Sequence, residues 1–111
     1  MEDCLFCKIV AGQIPARIVL DDAEWLAFSD IDPKAPVHVL VVPKRHLADI
    51  GELGSEPATA AAVVAGIGAV ARHLGLTAYR TVFNTGAEAG QSVFHAHAHL
   101  LGGRRLDWPP G

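Results

Sequence analysis

The chain has 111 residues, half of them apolar and 19% charged, which suits one compact domain built on one core and leaves too little for a second. Its formal charge of -3, with no basic cluster larger than Lys44-Arg45-His46 or Arg104-Arg105, excludes a nucleic-acid surface built on bulk electrostatics. The apolar run from Ala58 to Ala71 falls short of the ~20 residues a bilayer demands, so neither nucleic acid nor membrane is an expected partner.

Met1-Glu2-Asp3-Cys4 opens acidic and lacks the basic and apolar stretches of a secretory signal, which favours a cytoplasmic location. Cys4 to Ala11 carries Leu5, Phe6, Ile9 and Val10 at helical spacing and stops at Gly12 and Pro15, predicting a short helix. In a reducing compartment its Cys4-x-x-Cys7 spacing favours a metal pair or buried thiols over a structural disulfide. Arg17 to Leu20 and Trp25 to Ser29 are β-prone runs around an Asp21-Asp22 turn, and Asp30 to Pro36 is a loop. Val37 to Val42 is β-branched almost throughout and ends at Pro43, as expected of a strand buried on both faces. A short helix follows over Leu47 to Leu53, then the main helix from Glu56 to Leu74, with Ser55 as its cap, Pro57 in its first turn and Gly75 at its stop. Tyr79 to Asn84 is a strand, Thr85 to Gly90 a turn, and Val93 to Leu101 the last strand. The sum is an α+β pattern.

That last strand holds the most informative residues, His95-Ala96-His97-Ala98-His99. Alternation along a strand puts the three imidazoles on one face, spaced roughly 6.5 to 7 Å apart, and Ala96, Ala98 and Leu100 on the other. Such a row can cap a polar sheet face, bind a metal, or do nucleophilic chemistry at phosphorus, where imidazoles near neutrality supply both the nucleophile and proton donors. The preceding turn, Gly86 to Ser92, offers backbone N–H groups and a hydroxyl suited to an anion, without the lysine of a P-loop.

Gly90-Gln91-Ser92-Val93-Phe94-His95-Ala96-His97-Ala98-His99-Leu100-Leu101 resembles the histidine triad (HIT) signature, His-φ-His-φ-His-φ-φ. The tail from about Gly102 to Gly111, with Trp108-Pro109-Pro110, resembles the Hint branch, as do Ser29-Asp30-Ile31, His38 and Pro43-Lys44-Arg45-His46. The resemblance spans the whole chain, read as a single domain over 1–111. It implies a HIT-like fold, an antiparallel sheet of about five strands with one long and one or two short helices, paired into a homodimer across the long helix and a central strand. It also implies hydrolysis of purine nucleoside phosphoramidates through a nucleotidyl-histidine intermediate, with a purine nucleoside monophosphate or phosphoramidate as ligand and no cofactor in catalysis. The alternatives are a dinucleoside polyphosphate hydrolase, which the Hint-like tail disfavours, and a nucleotide-binding regulatory protein.

By that resemblance His97 is the nucleophile, His99 binds phosphoryl oxygens, and His38 with His95 holds the His97 ring in its reactive tautomer. Ser92 faces the leaving nitrogen, Asn84 and Gln91 sit beside the phosphate, and Asp30 accepts the ribose hydroxyls. Leu5, Phe6, Ile9, Phe28, Ile31 and Leu40 line the base slot, and Trp108 belongs to a tail that reaches the partner's site. Cys4, Cys7, His46 and His95 resemble the structural Zn²⁺ site of some HIT proteins, with the other nitrogen of His95 turned to the catalytic cluster. Ala96 and Ala98 are smaller than the aliphatics usual in the family, so something larger must fill the space behind them.

Overall fold

The computed structural model describes residues 3–111; the Met1-Glu2 opening lies outside them. In chain order the elements are α1 (Leu5–Val10), β1 (Ile18–Asp21), β2 (Trp25–Ser29), β3 (Val37–Pro43), α2 (Ile50–Gly54), α3 (Pro57–His73), β4 (Tyr79–Val82) and β5 (Ala98–Gly102), with a single 3₁₀ turn at Ala87–Ala89. The strands form one antiparallel sheet in the order β1-β2-β3-β5-β4. This is the expected α+β architecture, with one long and two short helices. None of the helices among the described residues is long and apolar enough to cross a membrane.

The β-branched run of β3 sits at the centre and is buried on both faces from His38 to Pro43, with Val37 partly buried. Val39 and Val41 point into a core with Trp25, Ala27, Val63, Ile67, Val70, Ala98 and Leu100, covered by α3. Leu40 and Val42 point the other way, into a smaller cluster with Cys4, Phe6, Leu26 and Phe28, covered by α1. His38 shares that second side by alternation, and register sets Leu40 opposite His99. One side of the sheet therefore packs, and the other carries the polar groups.

The small residues behind the histidines have a partner of the expected kind. Trp25 shares the α3-side core with Ala27, Ala96 and Ala98. The helix also makes way for it: a Cβ on Gly66 would stand 2.7 Å from two ring carbons of Trp25. This part of the small-residue face of α3 thus closes onto its own sheet.

Several boundaries depart from expectation; β4 ends at Val82 and not at Asn84. Ser55 does not cap α3; it ends α2, its hydroxyl donating to the Glu52 carbonyl at 2.6 Å, and Glu56 starts α3 without a side-chain cap. The helix α2 starts at Ile50 because the Asp49 carboxylate accepts the Glu52 N–H at 3.0 Å. The last strand begins at Ala98, not Val93. Pro43 has no N–H to extend the ladder, its carbonyl is taken by the His95 ring, and the Ala96 N–H turns to the Leu47 carbonyl at 2.6 Å. The segment from Ser92 to His97 is held by these bonds in place of strand pairing.

Replacing Gly66 tests the α3 contact. Overpacking costs about 1–3 kcal/mol, against the ~1 kcal/mol that alanine gains over glycine within a helix. With two atoms of a buried ring at 2.7 Å the clash prevails. Gly66→Ala is expected to lower unfolding free energy in urea by about 1 kcal/mol or more; an unchanged or higher midpoint would refute it.

Candidate active site and metal centre

The three histidines do share the α1 side of the sheet, yet they divide between two centres. His95 is fully buried and His97 nearly so. The His95 Nε2–H donates to the Pro43 carbonyl at 2.7 Å, which leaves Nδ1 with a bare lone pair. That nitrogen lies 3.4 Å from Cys4 Sγ, 3.5 Å from Cys7 Sγ and 3.2 Å from His46 Nδ1, and Cys7 Sγ lies 3.3 Å from His46 Nδ1. So the second nitrogen of His95 is turned to a backbone carbonyl, not to the catalytic cluster.

These four donor atoms fit a tetrahedral zinc ion. Zinc–sulfur bonds of ≈ 2.3 Å and zinc–nitrogen bonds of ≈ 2.0–2.1 Å put corners about 3.5 Å apart for S and N and about 3.3 Å for two N. All four atoms lie within 4.8 Å of one another. Carbonyl-bound Nε2–H on a ligating imidazole is the usual orienting partner of such sites. Without an ion, burial and the Cys4 thiol push the Cys7 thiol up, and a bound cation would reverse that.

His97 faces the other centre. Its Nδ1–H donates to the His95 carbonyl at 2.7 Å, so Nε2 carries a free lone pair. The group that orients His97 is therefore the His95 backbone, neither the His95 ring nor His38. His38 instead reaches His99: the Lys34 N–H donates to His38 Nδ1 at 3.0 Å, which puts the proton on Nε2, and this N–H donates to His99 Nδ1 at 2.9 Å. His99 is left with an Nε2–H. The Asp30 carboxylate stands 3.4 Å from His38 Nε2 and accepts the Asp32 N–H at 2.8 Å.

Beside His97 and His99 opens a cavity of about 410 Å³. Every base-slot residue expected from the sequence, Leu5, Phe6, Ile9, Phe28, Ile31 and Leu40, lines it, as do Asp30 and Ser92. Phe6 stands edge-on to the His97 ring, centroids 4.9 Å apart. Ile14, Pro15, Ala16, Ser29 and Val93 complete the lining and were not anticipated. Gly12 turns the chain after α1 at a φ of 75°, Ile14-Pro15 beyond it line the same cavity as α1, and two apolar residues just after a helix stop were the available signal.

Burial dominates the imidazoles' acidity. It holds His97 and His95 below the ordinary histidine range, against the pull of their carbonyl partners, and brings His99 down to about 4. The expectation of imidazoles poised near neutrality is thus corrected for His95, His97 and His99, which burial favours in the neutral form at pH 7.

Three expected contacts do not form. Gln91 is buried but fully engaged, its Oε1 accepting the Gly86 N–H at 2.9 Å and its Nε2 donating to the Ala48 and Val93 carbonyls at 2.7 and 3.1 Å. Asn84 lies outside the cavity lining and donates to the Ala89 carbonyl at 2.8 Å, holding the turn closed. The turn's own N–H groups at Gly86, Ala89, Gly90 and Gln91 are spent within it, so it offers less to an anion than the sequence suggested. Trp108, expected in a partner's site and not in this chain's own, is 80% exposed beside Arg80 at 5.9 Å.

Residues 11–106 match the HIT domain family. The chain belongs to that family. An uncharacterized HIT-like protein of Synechococcus elongatus is 50% identical over 99% of this chain and 98% of its own length. A 14 kDa zinc-binding protein of Zea mays is 43% identical over 96% of this chain and 87% of its own. The crystal structure of a HIT family hydrolase from Legionella pneumophila superposes with a TM-score of 0.93 at 46% identity, covering 98% of this chain and 100% of that one. The HIT fold expected from the triad is thereby established.

The lowered pKa of His99 has a readable sign. An unfolded histidine takes up its proton near 6.5, whereas folded His99 does so only near 4. The unfolded state therefore binds more protons in between, and stability falls as pH drops from about 6.5 towards 4. An NMR titration of the ring protons should show His99 neutral through pH 5.5; a midpoint at or above 6 would contradict the burial argument.

Proposed function

We propose that this HIT protein is a Hint-type phosphoramidase, cleaving the P–N bond of purine nucleoside 5'-phosphoramidates through a nucleotidyl-histidine. The observation that carries the reading is the His97 tautomer: Nδ1–H bound to a carbonyl and a bare Nε2 beside a 410 Å³ cavity. The apolar lining suits a planar base held without base-specific hydrogen bonds, and Asp30 at its rim suits the two ribose hydroxyls.

In this mechanism the His97 Nε2 lone pair attacks phosphorus, forming an N–P bond as the P–N bond to the amine breaks. The ring gains positive charge, which the His95 carbonyl stabilises through Nδ1–H. The departing nitrogen takes a proton from the Ser92 hydroxyl, while the His99 Nε2–H hydrogen-bonds a phosphoryl oxygen. The anionic phosphorus group of the substrate favours a protonated imidazole, so binding would raise the pKa of His99. Water then attacks phosphorus and returns a proton to Ser92, releasing the nucleoside monophosphate and restoring His97. Splitting one displacement into two is the gain of a covalent intermediate.

Cys4, Cys7, His46 and His95 would hold a structural Zn²⁺; four protein donors leave no open position for substrate. The name of the maize relative supports this, as the name of the Legionella relative supports hydrolase chemistry. The expected homodimer would pair across α3 and a sheet edge, β1 or β4, since the central strand β3 has both neighbours taken.

With adenosine 5'-phosphoramidate, the protein is expected to release AMP, and His97→Ala to lose on the order of 10³-fold or more in kcat/KM while keeping its fold. Absence of turnover in the unaltered protein would move the reading to a dinucleotide hydrolase or a binding module. Metal analysis should find about one zinc per chain, and Cys7→Ala should lose it with a fall of several kcal/mol in stability. A metal-free, equally stable protein would leave the cysteines as buried thiols.

A further inference from the structure

We infer that the Cys4–Cys7–His46–His95 centre and the nucleotide cleft are one coupled unit, in which an ion at the centre fixes both a wall of the slot and the ring of the nucleophile. The inference rests on the nucleotide reading above and on the fit of the four donors to zinc.

Two links join the centres, and both are short. The first is α1. Cys4 is its N-cap and Cys7 lies within it, so the two thiols bracket Leu5 and Phe6, both of which line the cavity. A helix of six residues does not hold itself in water, so its position depends on what its ends are tied to. Phe6 then meets the His97 ring edge-on at 4.9 Å and the His95 ring at 6.0 Å.

The second link is His95 itself. Its ring supplies one donor to the centre, while its backbone carbonyl takes the His97 Nδ1–H at 2.7 Å. Fixing the ring at Nδ1 and at the Pro43 carbonyl fixes the peptide that orients His97. His46, by contrast, touches the metal side only and lines no part of the cleft.

If the ion orders the cleft, it strengthens nucleotide binding, and nucleotide must strengthen ion binding by the same factor. The experiment titrates AMP calorimetrically into zinc-loaded protein and into His46→Ala, whose fold is checked by circular dichroism. In parallel, zinc affinity of the unaltered protein is measured by chelator competition at rising AMP. We expect AMP binding about tenfold weaker in His46→Ala, and zinc affinity rising by a matching factor that levels off at saturating AMP. Equal AMP binding in the two proteins, or zinc affinity indifferent to AMP, overturns the coupling. A zinc affinity that climbs in proportion to AMP without levelling also overturns it, because the metal-free chain then has no cleft and the ion merely permits folding. Loaded protein that binds no AMP at all refutes the nucleotide reading instead.

Discussion

The bond from His95 Nε2–H to the Pro43 carbonyl, 2.7 Å long and fully buried, is the contact on which the rest of the site depends. It settles the tautomer of His95 and so turns a lone pair toward two cysteines and His46. It takes the last acceptor of β3, which ends the ladder and lets the chain from Ser92 to His97 leave strand geometry. Freed from pairing, the His95 carbonyl can accept from the His97 ring two residues on. A regular strand would have spent that carbonyl on its neighbour.

The two faces of β3 explain how so short a chain affords both a core and a site. Val39 and Val41 pack with Trp25, the small Ala96 and Ala98, and the inner face of α3, where nothing titrates. The opposite face carries His95, His97 and His99, and burial there holds these three below the ordinary histidine range. Neutrality is what a nitrogen nucleophile and a zinc ligand both require, so one physical cause, desolvation, serves both centres.

The fold was largely legible in the sequence because its signals were local. The continuous β-branched run of Val37–Val42, the Gly75 stop and the Asp30–Pro36 loop each left a mark on neighbouring residues. The base slot was legible only through the triad resemblance, since Leu5 or Phe28 taken alone is a core residue. What was misread depended on long-range hydrogen bonds. Gln91 looks like a ligand residue until its three bonds to Gly86, Ala48 and Val93 are seen, and nothing in Val93–His97 signals that Pro43, some 50 residues earlier, ends its strand. His38 was assigned to the wrong histidine for the same reason: register sets it opposite Leu101, two residues from His99, and only the fold reveals that.

The His38–His99 pair shows how the polarity of the cleft is set by backbone and not by pH. The Lys34 N–H cannot reverse its direction, so His38 Nδ1 must accept and Nε2 must donate, and His99 must present its own Nε2–H. The loop that offers this N–H is held from both sides, by Asp30 accepting from Asp32 and by Arg104 donating to the Lys34 carbonyl at 3.0 Å. A neutral His99 fixed in this tautomer donates a hydrogen bond throughout the neutral range without carrying charge. On the proposed reading an anionic substrate would raise its pKa, so that the acidity of His99 answers to the ligand as well as to the solvent.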